Sequence, residues 1–303
     1  MIPFYYILAA SHSGSTLLTM LLGTHPGVAT VGETSAVTEP GDGADSHLCS
    51  CQSSIETCPF WSAIRERLHE RGFDWGNGTF QTHFRFPDAK VTDRVLRAEY
   101  QGPVMEAVRD TALAVSPTWR RRSKTLYASN AALVEEVMAL TGAKVFVDSS
   151  KEPHRLKFLK RIDGFRPRVI HLVRDGRGVA GSYIRRDRWP MHTAADEWRR
   201  SIVSEEYILK QFASTDQIHV RYESLCSDVE NEVARVLAFM GLDARAWERD
   251  FRSSQQHILG NRMRVGSSSE VKLDERWRTL LDDGQLAEFD RVAGDLNRKY
   301  GYT

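Results

Sequence analysis

Residues 4–18, FYYILAASHSGSTLL, decide the fold. Residues 4–8 form an apolar, aromatic-rich run that is typical of a buried strand, and residues 15–23 carry apolar side chains at helical spacing. A strand, a turn with Ser and Gly, and a helix in this order bring several backbone N–H groups and the positive helix end to one point. The pattern therefore predicts an anion site at residues 11–17, although Ser and Gly also serve as cap and turn residues in an ordinary strand–turn–helix unit.

The turn resembles the phosphate loop of nucleotide-binding proteins in its spacing, but it lacks the lysine of that loop. Ser15 stands before Thr16 at the position where a lysine is expected after Gly14. A kinase or nucleotidase that transfers phosphate would therefore lack its main charge, and it remains the alternative among enzymes. A catalytically silent nucleotide-binding protein is the alternative from another class.

Further strand-like runs indicate an α/β fold with a P-loop-type central parallel sheet flanked by helices on both faces. These runs lie at residues 144–147, 169–173 and 217–221. Apolar residues at helical spacing occur at residues 131–140, 153–162, 177–186 and 229–240. We expect one domain over residues 1–303, with insertions at about residues 39–60 and 73–125, where turn-forming residues interrupt the patterns.

Two more strand ends carry charged residues. Arg174 directly follows the strand at 169–173, and Ser182 lies on the next helix, so that both can meet one phosphate. Asp175 is expected to cap that helix, and Arg177 to form structural ion pairs. Lys151 follows the strand at 144–147, and strand ends face the ligand crevice of such sheets. The simpler interpretation of Lys151 is a solvated lysine at the start of a helix.

Residues 13–18 (SGSTLL), 24–26 (THP) and 31–34 (VGET) resemble sulfotransferases that use 3′-phosphoadenosine 5′-phosphosulfate (PAPS), especially bacterial and tyrosylprotein sulfotransferases. The segment from Arg174 to Ser182 is similar to their 3′-phosphate-binding segment. The resemblance implies transfer of a sulfuryl group from PAPS to an acceptor hydroxyl, with 3′,5′-ADP as the product. The acceptor could be a carbohydrate, a tyrosine, a lipid headgroup or a small molecule.

The resemblance also implies roles for individual residues. Glu33 matches the general base, and Lys151 would stabilise charge on the leaving group. His12 stands where many members carry Arg or Lys, so its contribution depends on a charge that varies with pH. The catalytic set is Glu33, His12 and Lys151. The donor-binding set is Ser11, His12, Ser13, Gly14, Ser15, Thr16, Leu17, Arg174, Ser182, Tyr222 and Arg262.

Composition limits the partners. Lys and Arg total 41 against 40 Asp and Glu, which argues against a chain that coats nucleic acid or an acidic membrane. The basic runs at residues 120–124 and 185–188 are therefore expected to be mostly solvated surface. The apolar run at residues 4–10 is too short to span a bilayer and follows no basic segment, so we expect a cytoplasmic protein without integral membrane association. The sequence carries no signal for an oligomeric state.

Three of the four cysteines lie close together, at Cys49, Cys51 and Cys58, and Cys226 is distant. This number of cysteines does not indicate a disulfide framework in a chain of 303 residues. The C-x-C-x6-C spacing could bind zinc, but the sequence shows no clear fourth ligand. We therefore expect reduced thiols in a small ordered insertion, and no metal in the reaction.

Overall fold

The computed structural model describes residues 2–38, 47–75, 78–98, 100, 102–266 and 268–303. Within them, one five-stranded parallel sheet has the order β2-β3-β1-β4-β5. The strands are β1 (Ile2–Leu8), β2 (Val28–Thr30), β3 (Val145–Lys151), β4 (Phe165–Val173) and β5 (Gln217–Arg221). Because all strands run in the same direction, their carboxyl ends meet at one edge of the sheet. This edge carries the candidate site.

Helices cover both faces of the sheet. They are α1 (Ser15–Leu22), α2 (Pro59–Glu70), α3 (Lys90–Leu96), α4 (Pro103–Val115), α5 (Pro117–Thr141), α6 (Pro153–Leu159), α7 (Gly176–Asp187), α8 (Met191–Leu209), α9 (Tyr222–Ser227), α10 (Val229–Phe239), α11 (Trp277–Leu280) and α12 (Asp283–Lys299). In the described part of the chain, four 3₁₀ helices lie at Thr34–Val37, Ser214–Asp216, Ala244–Ala246 and Arg262–Val265.

The central strand β1 shows how the two faces are buried. Phe4, Tyr6 and Leu8 pack into the core that includes α2, α5 and α6. Tyr5 and Ile7 pack into the core on the other face, with α1 and α10. Side chains alternate between the faces of a strand, so a continuous apolar run fits a strand covered on both sides. The predicted fold class is confirmed.

The structure contains elements that were not predicted, among them helices α8 and α12 and strand β2, and it extends others, among them helix α5. Strand β2 was not predicted, because three residues are too short for a periodic pattern. Helix α5 begins at Pro117 instead of residue 131, because the basic run at residues 120–124 interrupts its apolar spacing. In the second predicted insertion, Phe80 and Phe84 are buried in the main core. The two insertions stay predictions, and residues 39–46, 76–77, 99 and 101 of them lie outside the described residues.

Among the helices of the described residues, none combines the length and the apolar character that crossing a membrane requires.

Candidate active site

The turn between β1 and α1 forms the predicted anion loop. Gly14 precedes α1 in a left-handed conformation with φ of +92°, and the first turn of the helix contains no acidic residue. Ser13 is fully buried, and its hydroxyl oxygen has no hydrogen-bond partner in the part of the chain that the structure describes. Buried hydroxyls are nearly always paired, so an orphaned one at a helix start fits a site built for an anionic ligand.

The ring of Tyr222 also leaves no room for a side chain at position 14. A Cβ atom at position 14 would lie 2.5 Å from the Tyr222 ring, which is closer than carbon atoms approach. The guanidinium of Arg174 lies 4.5 Å from the centre of the same ring and donates to the loop at the carbonyl of His12. Tyr222 is buried, and its hydroxyl accepts a hydrogen bond from the Asp274 amide. Tyr222 therefore supports both the loop and Arg174. It also lines the cleft that the anion loop borders.

Glu33 follows β2 and lies at the same edge of the sheet. Gly32 has φ of +77°, and a Cβ atom there would lie 2.2 Å from the carbonyl oxygen of Leu259. Leu259 donates to the carbonyl of Val31 at 2.8 Å and accepts from the amide of Glu33 at 3.2 Å. A segment from late in the chain thus extends the edge of the sheet, and Gly260 packs against the Glu33 carboxylate.

Lys151 is paired with Glu33. Its Nζ atom lies 2.5 Å from Oε1 of Glu33, and the two side chains are 16% and 21% exposed, so Lys151 is not a solvated surface lysine. Lys151 ends β3 beside Leu8 of β1 and has φ of +71°. A left-handed conformation is costly for a residue with a side chain, and it persists where the surrounding structure imposes it.

A buried polar network holds the backbone below this pair. Asp148, in β3, accepts hydrogen bonds from the hydroxyl of Thr34, from Ser150 and from Nε of Arg155. Arg155 is almost fully buried and also donates to Thr34 and to the side chain of Asn130. Because each charge has a partner, the network stabilises the turn that carries Glu33.

Cationic side chains line the cleft that the anion loop borders. Arg174 donates to the carbonyls of His12 at 3.0 Å and Asp274 at 2.7 Å, which uses two of its five N–H donors. Arg185 and Arg276 line the same cleft, and the pKa of Arg185 is lowered by desolvation and by the charge of Arg276. Ser182 also lines it, and its hydroxyl donates to the carbonyl of Gly178.

The sequence did not single out Arg276, and it predicted Arg185 and Arg186 as mostly solvated surface. Both residues of α7 are exposed, but they also line the cleft. Spacing gave no signal, because Arg276 comes from a segment about a hundred positions further along the chain. Asp175 accepts from the amide of Arg177 and pairs with its guanidinium, as expected for the helix cap and its ion pair.

The two arginines of the loop at residues 260–264 differ in burial. Arg264 is buried and donates to the carbonyls of Leu48 and Gly260, so it has a structural role. Arg262 lies on the exposed side of the 3₁₀ helix and lines the cleft with Lys151. Arg262 is the arginine of the predicted donor-binding set, and its role stays a prediction.

His12 differs most from the sequence-based expectation. Burial, followed by the charge of Arg186, lowers the pKa of the imidazole to about 4. The ring lies 3.8 Å from the Asp187 carboxylate and packs edge-on against Tyr183. His12 is therefore neutral at pH 7, and Arg186 and Lys151 supply positive charge near it.

We predict a measurable effect of His12 on stability in acid. The pKa of His12 falls from 6.5 in the unfolded chain to about 4 in the folded one, so the unfolded state binds more protons between these values. The free energy of unfolding should decrease as the pH is lowered from 6.5 to 4, by up to about 3 kcal/mol from this residue. His12→Gln should show a shallower decrease in urea denaturation at several pH values.

The exposed residue His69, at the end of α2, provides the control for this measurement. His69→Gln should keep the wild-type pH dependence. Equal slopes for wild type and His12→Gln would show that His12 does not titrate in this way.

Two clefts meet at the Glu33–Lys151 pair. The first cleft, which we call the donor cleft because the residues of the predicted donor-binding set line it, has a volume of about 770 Å³. It is lined by the predicted residues Ser11, His12, Gly14, Ser15, Thr16, Leu17, Glu33, Lys151, Arg174, Ser182, Tyr222 and Arg262. A second cleft of about 490 Å³ shares Ser11, Glu33 and Lys151 with it and continues toward Tyr100 and Tyr207, whose rings stack at 4.0 Å. Only Ser13 of the predicted set lies below the surface of the donor cleft.

Comparison with known proteins identifies the family. A family model described as "Sulfotransferase family" matches residues 3–248, and the chain therefore belongs to the sulfotransferase family. No curated protein matches the chain.

Two solved structures share the fold. The sulfotransferase domain from the curacin biosynthetic pathway is 16% identical, with a TM-score of 0.55 and coverage of 100% of this chain and 99% of that chain. The sulfotransferase domain from the Synechococcus PCC 7002 olefin synthase is 17% identical, with a TM-score of 0.57 and coverage of 99% and 95%.

Family membership confirms the predicted class of enzyme. The chain is a sulfotransferase, and PAPS is the standard co-substrate of this family, with 3′,5′-ADP as the product. Neither a phosphate-transferring enzyme nor a silent nucleotide-binding protein is favoured.

Proposed function

We propose that the donor cleft binds PAPS and that Glu33 takes the proton of an acceptor hydroxyl. The observation that carries this proposal is the meeting of the anion loop, the cationic side chains and a carboxylate in one cleft. The loop at residues 11–17 would hold the phosphosulfate through its amides and the buried Ser13 hydroxyl. Arg174 and Ser182 would hold the 3′-phosphate, with Arg262 closing over it. His12 would contribute a hydrogen bond from a neutral ring.

The Glu33–Lys151 pair gives this proposal a mechanism. In the pair, Nζ of Lys151 contacts Oε1 of Glu33, so this oxygen is not free to accept the proton of a hydroxyl. The phosphosulfate offers Lys151 a second anionic partner. When Lys151 turns to the bridging oxygen, it stabilises charge on the leaving group and releases Glu33 to act as a base. Donor binding thus prepares the base before the acceptor reacts.

The hydroxyl-bearing acceptor would approach through the second cleft. This cleft shares Glu33 and Lys151 with the donor cleft, so an acceptor bound in it would reach the Glu33 carboxylate. The paired rings of Tyr100 and Tyr207 offer an apolar wall. Arg97 and Lys157 give the cleft charged positions as well. We propose that its occupant is a carbohydrate, a tyrosine, a lipid headgroup or a small alcohol.

The experiment that tests the proposal is calorimetry of the wild-type protein with three nucleotides. 3′,5′-ADP should bind more tightly than AMP by one to two decades, because a charge-assisted phosphate contact contributes about 1.5–3 kcal/mol. ATP, which has no 3′-phosphate, should bind no better than AMP. Equal affinity for 3′,5′-ADP and AMP would contradict a 3′-phosphate site in this cleft.

We propose the cytoplasm as the location of the protein. The four cysteines, all in the described residues, are unpaired, which agrees with a reducing compartment. Detection of the native protein in a cell fraction other than the cytosol would contradict this proposal.

A further inference from the structure

Four metal-binding side chains meet at one point away from the active-site cleft. Ligand atoms of Cys49, Cys51, Cys58 and His257 all lie within 4.8 Å of one another. The sulfur atoms of Cys51 and Cys58 are 3.5 Å apart, and Nδ1 of His257 lies 3.2 Å from the sulfur of Cys58 and 3.5 Å from that of Cys49. A tetrahedral zinc site with its usual bond lengths has ligand–ligand distances of about 3.5–3.8 Å. The cluster therefore has the size of a zinc site.

The histidine is the ligand that the sequence did not reveal. It lies about two hundred positions after Cys58, and no short motif connects the two. The ring of His257 stacks on Phe60 with a centroid distance of 4.5 Å and an angle of 2° between the planes. This contact fixes the orientation of the ring, as supporting residues around metal ligands do.

Local backbone structure holds the three cysteines. The amide of Cys49 donates to Ser53, and the amide of Gln52 donates back to Cys49, both at 2.9 Å. The amide of Cys58 donates to the carbonyl of Ser54, also at 2.9 Å, and Cys58 directly precedes α2. The resulting tight turn brings the sulfur atoms of Cys49 and Cys51 toward that of Cys58.

A disulfide explains the cluster less well. All four cysteines are free, and a separation of 3.5 Å between Cys51 and Cys58 is far longer than a sulfur–sulfur bond of about 2.05 Å. A disulfide between them would also not explain why Cys49 and His257 lie in the same cluster.

We propose that Cys49, Cys51, Cys58 and His257 bind one structural zinc ion. Three thiolates and an imidazole favour zinc over magnesium or calcium, which prefer oxygen ligands. Four protein ligands complete the tetrahedron and leave no open position for a substrate, so the ion stabilises the fold and takes no part in sulfuryl transfer. Cys49 and Cys58 are fully buried, which shields the ion from solvent.

The ion would anchor the segment that supports Glu33. Next to His257, Ile258 exchanges hydrogen bonds with Ser50: its carbonyl accepts from the Ser50 amide, and its own amide donates to the Ser50 hydroxyl. Leu259 then pairs with the backbone of Val31 and Glu33. The zinc site thus connects the cysteine turn with the segment at residues 257–259. This connection lies two residues before Leu259, which contacts the edge of the sheet at Glu33. Loss of zinc should therefore lower the melting temperature and loosen the position of Glu33.

The test is the metal content of the full-length chain, purified without chelator and measured by mass spectrometry of the elements. We expect about one zinc per chain in wild type and a loss of most of it in Cys51→Ser. His257→Ala should also lose zinc, whereas His257→Cys should retain it because a fourth thiolate completes the site. Cys226→Ser, which changes a cysteine outside the cluster, should keep the wild-type content.

Cobalt substitution makes the result independent of whether the variants fold. Wild-type protein loaded with Co²⁺ should show the visible absorption of a tetrahedral thiolate site, and zinc should abolish it. A wild-type zinc content no higher than that of Cys51→Ser would overturn the proposal. So would a Cys51–Cys58 disulfide in the intact mass of freshly purified protein, or cobalt spectra without thiolate bands.

Discussion

Glu33→Gln should slow sulfuryl transfer by about 10²–10⁴-fold, because a positioned general base contributes that much and glutamine cannot accept the proton. The affinity for 3′,5′-ADP should change little, since the amide fills the same space and the proposed nucleotide contacts lie elsewhere in the cleft. Single-turnover transfer of labelled sulfate from PAPS, measured together with calorimetry of 3′,5′-ADP, separates the two quantities.

Two further variants accompany this test, one as a control for the loss of a carboxylate and one as a test of acceptor binding. Glu152 lines the second cleft with a side chain that is 43% exposed, and Glu152→Gln should transfer sulfate at nearly the wild-type rate. Tyr207→Ala should raise the KM for the acceptor and leave donor affinity unchanged. Wild-type turnover in Glu33→Gln would remove Glu33 from the role of base.

Arg174→Ala should lose one to two decades of affinity for 3′,5′-ADP and little for AMP. The physical reason is the loss of a charge-assisted contact to the 3′-phosphate, which contributes about 1.5–3 kcal/mol. Arg174 also supports the carbonyls of His12 and Asp274, so some loosening of the anion loop is expected in this variant. Calorimetry with both nucleotides distinguishes the two effects, because a loosened loop weakens AMP as well.

Arg278→Ala is the matched control for this substitution. Arg278 is 59% exposed, pairs with Glu275 and stacks on Trp277, and it is not among the residues that line the donor cleft. Its affinity for both nucleotides should equal that of wild type. An Arg174→Ala protein that loses the same factor for 3′,5′-ADP and AMP would exclude Arg174 as the 3′-phosphate ligand.

The sequence predicted those parts of the site that follow recognisable strands. Lys151 at the end of β3 and Arg174 after β4 were placed by one rule, that strand ends face the ligand crevice. The loop after β1 was placed by its strand–turn–helix order. Glu33 follows a strand of only three residues, and it was found through the family resemblance and not through periodicity. Short strands have no pattern of their own, because their stability comes from the neighbouring strand.

Features that depend on distant parts of the chain were not predictable. His257 and Arg276 stand in segments without regular structure, so no repeat in the sequence connects them with the cysteines or with α7. The left-handed conformations of His12 and Lys151 are set by tertiary packing and carry no residue signature such as glycine. The low pKa of His12 depends on burial that spacing alone does not reveal.

The pairing of Leu259 with Val31 and Glu33 has a consequence for synthesis of the protein. Chains leave the ribosome from the amino terminus, and early segments can begin to fold before the rest is made. The anion loop and β2 are synthesised well before Leu259, which is the backbone partner of Glu33. A nascent chain can therefore form its nucleotide loop before the proposed base gains the backbone support of Leu259.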